Sequence, residues 1–282
     1  MSTKTLKHFV LVRFFPKQDP KYPHDVFDTD FLSKQLVLAK NMFASLENQT
    51  NKNFEIVFVV NAKLVSDKKY EFILSALKES ASLPVRFITT KGGAWMFARS
   101  ELPALFKETF EKYDFVIQSR MDFDDFIYKD AVADTQDKIH ECDDVLGYGY
   151  CNGYRYILGE MYNMGGYYQG NGHQGIMQSL ILKSSFAKNI PFMSIYSFTH
   201  SKFKKGLQTF LEKHGVEFSE KMFRQNLDTR AYIYYGHEFS HYFLSHELEF
   251  KLPKRKPLTN KQVSKKELEE EFGFFHELKT IK

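Results

Sequence analysis

The chain has 282 residues, 43% hydrophobic and 26% charged, enough to bury a sizeable core as one large domain or two small ones. Its 39 Lys and Arg against 35 Asp and Glu leave a net charge of +4, too weak a basic bias for general nucleic-acid binding. No stretch approaches the roughly 20 apolar residues of a membrane span, and the opening M-S-T-K-T-L-K-H-F-V lacks the apolar core of a signal peptide. Cys142 and Cys151 form no C-x-x-C pair, so a reducing cytoplasm is the expected compartment. Aromatics are abundant, with 29 Phe and 16 Tyr, which suits a ring-rich core or a surface that stacks on sugars or bases.

In chain order, residues 8–15, H-F-V-L-V-R-F-F, read as a buried strand interrupted by Arg13. Leu32, Leu36, Ala39, Phe43 and Leu46 recur at spacings of an amphipathic helix. Residues 54–60 form a second apolar strand that ends at Asn61. Ser66 is placed to cap a second helix, with Tyr70, Ile73, Leu74 and Leu77 facing inward. Residues 85–90 are a third strand, followed by Lys91-Gly92-Gly93 and a helical segment to Lys112 that Pro103 restarts near Ser100. Strand alternating with helix predicts an α/β fold with a mostly parallel, Rossmann-like sheet flanked by helices.

Residues 114–128, D-F-V-I-Q-S-R-M-D-F-D-D-F-I-Y, organise the chain. An apolar run, Phe115, Val116 and Ile117, leads into Arg120, Asp122, Asp124 and Asp125. Three carboxylates so close repel one another unless a cation sits among them, and hard divalent cations prefer carboxylate oxygen. Parallel sheets bind ligands at the carboxyl ends of their strands, which is where this cluster falls. A solvated acidic loop is the plain alternative, and the apolar strand and Arg120 weigh against it.

Four stretches carry a family resemblance. V-R-F-F ends the first strand, S-L-E-N-Q-T-N-K-N-F-E precedes the second, K-G-G-A-W-M-F-A-R-S follows the third, and R-M-D-F-D-D follows the fourth. In order and spacing these resemble GT-A glycosyltransferases, and among them the bacterial rhamnosyltransferase family. The resemblance covers roughly the first 130 residues. It implies a nucleotide-sugar donor held by Arg13, Asn61, Lys91, Arg99, Arg120 and Asp122, with Asp122, Asp124 and Asp125 at the reacting centre. It also implies a divalent cation, Mn2+ or Mg2+, on Asp124 and His237. His237 follows a late apolar strand, as a His does in that family, although the family's usual Trp and following Asn are missing here.

The second half is read more coarsely. Asn152-Gly153 gives a two-residue hairpin signal within residues 145–158. Residues 164–175 are rich in Gly and aromatics; the literal G-x-G-x-x-G there follows no apolar strand, so an acceptor-facing loop is preferred over a dinucleotide site. Residues 176–182 and 230–235 read as strands, and 201–213 as a helix stopped by Gly215. His237, Glu238 and His241 form H-E-x-x-H, the motif of a zinc metalloprotease when it lies on a helix. Gly236 directly before it and the strand-favouring residues upstream count against that alternative. The opening strand leads into F-F-P-K-Q-D-P without glycine, which counts against a nucleotidyltransferase. Residues 251–266 are basic, and residues 267–282 are amphipathic. Such a tail can lie on an anionic membrane at the inner face, or dock on the domain.

The expected organisation is one GT-A-like domain over residues 1–250, with a nucleotide-sugar half at 1–130, an acceptor half at 131–250 and a tail at 251–282. The expected reaction moves a sugar from a nucleotide-diphosphate donor to a glycan or lipid-linked acceptor, as in surface polysaccharide synthesis. Inversion needs a carboxylate base, for which Glu160, Glu217, Glu220 and Asp228 are candidates.

Overall fold

The computed structural model describes residues 4–14, 25, 27–90, 100–157, 160–163, 176–199, 202–236 and 262–273. Within them lie strands β1 (Leu6–Phe14), β2 (Glu55–Asn61), β3 (Val85–Thr90), β4 (Phe115–Asp122), β5 (Phe126–Ile127), β6 (Val145–Ile157), β7 (Glu160–Asn163), β8 (Gln178–Lys183) and β9 (Phe223–Gly236). The helices are α1 (Thr29–Glu47), α2 (Ala62–Ser66), α3 (Glu71–Glu79), α4 (Leu102–Lys112), α5 (Ala131–Asp137), α6 (Ser184–Ala187), α7 (Phe203–Lys213) and α8 (Lys265–Phe272).

All nine strands join one sheet in the order β3-β2-β1-β4-β8-β6-β9-β5, with β7 on β6. The first four are parallel, as their helical crossovers require. β8 then runs antiparallel to β4, β6 antiparallel to β8, and β9 parallel to β6. The parallel, Rossmann-like half is thus the first 122 residues, and the rest of the sheet is mixed. β1 and β2 are buried on both faces, which is why they read as unbroken apolar runs.

Helices cover both faces. Val10, Val12 and Phe14 of β1 face a core built with α1, α3, α5 and α8. Phe9 and Leu11 face the opposite core, closed by α4, α7 and the 3-10 turn Ile195–Ser197. α8 docks through Leu268 and Phe272, and the Lys129 N–H donates to the Glu271 carbonyl at 2.7 Å. Among the described residues no helix is long and apolar enough to cross a membrane.

Three local expectations change. Ser66 ends α2 instead of capping a helix; Asn61 caps α2 by accepting from the Lys63 N–H at 2.9 Å, and Asp67 caps the next 3-10 turn. Asn152-Gly153 makes no hairpin turn, because β6 continues through it to Ile157. The pair sits where the β6–β9 register shifts, so the residues that would turn a hairpin instead form a bulge. β9 begins at Phe223, earlier than its apolar residues indicated, because pairing with β6 draws polar residues into the strand.

Candidate functional site

The carboxyl ends of β1, β2, β3 and β4 meet along one edge. The register pairs Arg13 with Asp122 and Asn61 with Thr90. Arg13 and Asp122 therefore stand side by side on the same face. Arg13 donates from Nε to Asp122 Oδ1 at 2.8 Å and from Nη2 to Oδ2 at 2.7 Å, a two-pronged pair. Beyond Asp122 the chain turns tightly, closed by the Asp125 N–H donating to the Asp122 carbonyl at 3.2 Å. Phe123 anchors that turn edge-on against Phe14, 5.1 Å between ring centres. Asp124 is left half-buried at its tip, while Asp125 turns inward and is buried.

Beneath the pair lies a second layer that the sequence did not announce. Arg120, two residues before Asp122 on the same face, is only 4% exposed and donates to the Phe198 carbonyl at 3.1 Å. Tyr196 takes both guanidinium groups over its ring, Arg120 at 5.0 Å and Arg13 at 5.7 Å. Its hydroxyl donates to the Leu11 carbonyl at 2.8 Å. Gln118 fixes the same segment, donating to the Met193 carbonyl and accepting from the Ile195 N–H, both at 3.1 Å. The one available signal was the polar run Gln118-Ser119-Arg120 inside an otherwise apolar strand, since buried polar groups demand partners.

The electrostatics follow from this packing. Burial works against the Arg13 cation, but Asp122 beside it, helped by Asp124, holds it protonated well above its ordinary range. Burial, then the neighbouring Arg13 charge, lowers Arg120 to about 10, with Asp122 and Asp125 opposing that change. Arg120 stays a cation at neutral pH. Arg13 and Arg120 against Asp122, Asp124 and Asp125 leave one formal negative charge at this edge.

Of the residues expected at the donor site, Arg13, Asn61, Asp122 and Asp124 lie along this edge. Asn61 spends its side-chain oxygen on the α2 cap. Arg120 and Asp125 are drawn beneath the surface. Lys91, Arg99 and His237 lie outside the described residues, as does the rest of the H-E-x-x-H. Among the described residues no group of three or more His, Cys, Asp and Glu is placed to hold a metal ion. Asp122 has both oxygens on Arg13, and Asp124 sits half-buried at the tip of the turn. One carboxylate fits a cation that arrives on phosphate oxygens, the common mode for Mg2+.

β9 runs as a strand to Gly236, the residue before His237, and not as the helix a zinc protease motif needs. β5 pairs antiparallel with β9, Phe126 opposite Ile233. The turn preceding β5, which holds Asp124, therefore lies toward the carboxyl end of β9. Glu217 and Glu220 precede β9, which runs in the direction of β4, so they enter at the opposite edge; Glu220 also pairs with Lys204 at 2.7 Å.

No protein-family model matches this chain, and no curated protein matches it. Among solved structures, S. aureus TarS is similar at 13% identity and a TM-score of 0.44, over 86% of this chain and 39% of that one. The chain thus spans well under half the length of TarS. A Desulfovibrio desulfuricans protein named as a nucleotide-diphospho-sugar transferase is similar at 10% identity and a TM-score of 0.39, over 81% of this chain and 80% of that one. A Bacillus anthracis protein named as a glucose-1-phosphate thymidylyltransferase, in complex with sucrose, is similar at 11% identity and a TM-score of 0.40, over 89% of this chain and 98% of that one. Likeness at this level assigns no activity.

Proposed function

We propose that this chain is a cation-assisted glycosyltransferase that moves a sugar from a nucleotide-diphosphate donor to a glycan or lipid-linked acceptor. The observation that carries the reading is the Arg13–Asp122 pair with Asp124 beside it, at the carboxyl ends of adjacent parallel strands. Ligands of such sheets bind at that edge.

Under this reading each residue has a role. Arg13 holds Asp122 fixed, so that its carboxylate meets the ribose or sugar hydroxyls in one orientation. Asn61 and, outside the described residues, Lys91 and Arg99 complete the donor edge. Asp124 and His237 would hold Mn2+ or Mg2+. When bound, that cation would offset charge growing on the diphosphate leaving group. What supports His237 is the β5–β9 pairing, which brings the end of β9 toward the Asp124 turn. Among the carboxylates weighed as acceptor base, strand direction supports Glu160, opposite Ile157 where β6 ends, and Asp228 within β9 over Glu217 and Glu220. Rhamnose as the transferred sugar, inversion, a role in surface polysaccharide synthesis and contact of the tail with the inner membrane face belong to the same proposal.

Thermal-shift screening of nucleotide sugars, with and without manganese, tests it. A donor should raise the melting temperature, and manganese should increase the shift. Asp124→Ala should lose the manganese-dependent part in calorimetry while melting as the parent does. A parent protein that binds no nucleotide sugar or nucleoside diphosphate would end the proposal.

A further inference from the structure

The donor pair does not stand by itself. Tyr196 comes from a segment 74 positions beyond Asp122 (196 against 122), yet it reaches under both strands that carry the pair. Its hydroxyl donates to the Leu11 carbonyl at 2.8 Å and lies 3.4 Å from the Met121 carbonyl. Leu11 is two residues before Arg13 on β1, and Met121 is one before Asp122 on β4. A single phenol therefore bridges the two strands directly below the pair. Its ring meets a second demand, because Arg13 and Arg120 carry like charges against one side chain. An aromatic face attracts both cations and keeps them apart.

Tyr196 is itself held on several sides. Ser194 caps the 3-10 turn and accepts from the Tyr196 N–H at 3.3 Å, and the Ser197 hydroxyl answers the Ser194 N–H at 3.3 Å. Gln118 grips Met193 and Ile195, and Arg120 grips Phe198. Phe198 then packs on Phe203 of α7, 5.6 Å between ring centres. A rigid path thus runs from α7, through residues 193–198, to the floor of the donor edge.

We infer that Tyr196 is a positioning residue, which fixes the Arg13–Asp122 pair in its two-pronged geometry and so pre-organises the donor site. The role of the pair in donor binding rests on the function proposed above; the geometric claim does not. Truncating the side chain should free Arg13 to swing toward Asp124, whose charge already acts on it. A pre-organised site binds more tightly because less motion is lost on binding.

The experiment separates the two claims. The Arg13 Nε–H resonance, assigned through Arg13→Lys, reports the hydrogen bond to Asp122 without any ligand. Tyr196→Phe removes only the hydroxyl, and Tyr196→Leu removes the ring as well. We expect the resonance to shift and its hydrogen exchange to quicken about tenfold in Tyr196→Phe, and more in Tyr196→Leu. Calorimetry with UDP, GDP, CDP and dTDP plus manganese should show the bound member of the set weakened about tenfold in Tyr196→Phe. A merely structural tyrosine would lower the melting temperature and leave the Arg13 resonance in place; that result overturns the inference. If Tyr196→Leu does not fold, Tyr196→Phe still decides. If the parent protein binds none of the diphosphates while the Arg13 resonance responds as expected, the positioning role stands and the proposed function falls.

Discussion

At the scale of single residues, the chain shows how burial selects a charge state. His8 is fully buried, and its Nε2 lies 2.8 Å from Ser119 Oγ. Gln136 Nε2 approaches its Nδ1 at 3.3 Å, so Nδ1 accepts and Nε2 carries the proton to Ser119. Ser119 and Ser179 are joined at 2.6 Å, and Ser179 donates to the Met177 carbonyl at 3.2 Å. Among the described residues no charged partner is recorded for the ring, and burial lowers its pKa to about 3. The unfolded chain therefore binds a proton below pH ~6.5 that the folded chain refuses until about 3. Stability from this group is intact above pH ~6.5 and falls by about 1.4 kcal/mol per pH unit as pH drops toward 3. Urea titrations at pH ~7, 6 and 5 should show this slope, and His8→Gln should flatten it. The window stays above the carboxylates Glu55 and Glu141, whose pKa values lie below 4.5. A parent slope unchanged in His8→Gln would show that His8 is not the titrating group.

At the scale of elements, the β6–β9 pair stands in place of an expected hairpin. A Cβ on Gly153 would stand 2.4 Å from two Tyr232 ring atoms and 2.6 Å from its carbonyl oxygen. Only glycine lets the two strands close at this bulge, and the Asn152 amide donates across it to the Leu227 carbonyl. Gly153→Ala should cost about 1–3 kcal/mol, since neither backbone nor ring can retreat cheaply; an unchanged urea midpoint would mean that the strands part without penalty. The same region is tied to α5. Asp134 Oδ2 accepts from the hydroxyls of Tyr128 at 2.9 Å, Tyr150 at 3.2 Å and Tyr148 at 3.3 Å, and from Asn226 Nδ2 at 3.3 Å. Asp134→Ala strands those donors in a half-buried site and should cost about 2–3 kcal/mol by urea denaturation. A loss under about 0.5 kcal/mol, the scale of an ordinary surface change, would mean water replaces the carboxylate.

At the scale of the whole molecule, the two halves share one sheet. β4 pairs with β1 on one side and with β8 on the other, so the first 130 residues contribute strands that the later residues complete. Val116 of β4, Leu180 of β8 and Leu207 of α7 also share one core. Far-UV and near-UV circular dichroism should therefore report a single coincident urea transition, and residues 1–130 expressed separately should not show a cooperative one. Two resolved transitions would mean that the halves fold independently. Helix α8 belongs to this body as well. Phe272 is buried and meets Tyr154 edge-on at 6.1 Å. Phe272→Ala should lower stability by about 3–5 kcal/mol, the usual range for emptying such a site.

Read from the sequence by itself, β1 to β4, α1 and the final turn of acidic residues were legible, because each is a local pattern. Apolar runs in β1 and β2 reflect burial on both faces, and a helical stripe in α1 reflects a single buried face. Asp122 and Asp124 stood out because carboxylates rarely follow such a strand without purpose. What the sequence left undecided depends on residues distant along the chain. Asn152-Gly153 carries a turn signal that pairing with β9 overrides. Ser66 lost its cap to Asp67, the next residue, a choice that local propensity resolves poorly. Tyr196 and Gln118 matter through hydrogen bonds to Leu11 and to residues 193–195, and no spacing rule links those positions. The sequence determined that an acidic turn would end a buried strand, because hydrophobic periodicity is local. Only the tertiary structure decided that Arg13 would close on Asp122, that Arg120 would sink beneath it, and that one tyrosine would hold both, because register and packing are properties of the folded chain.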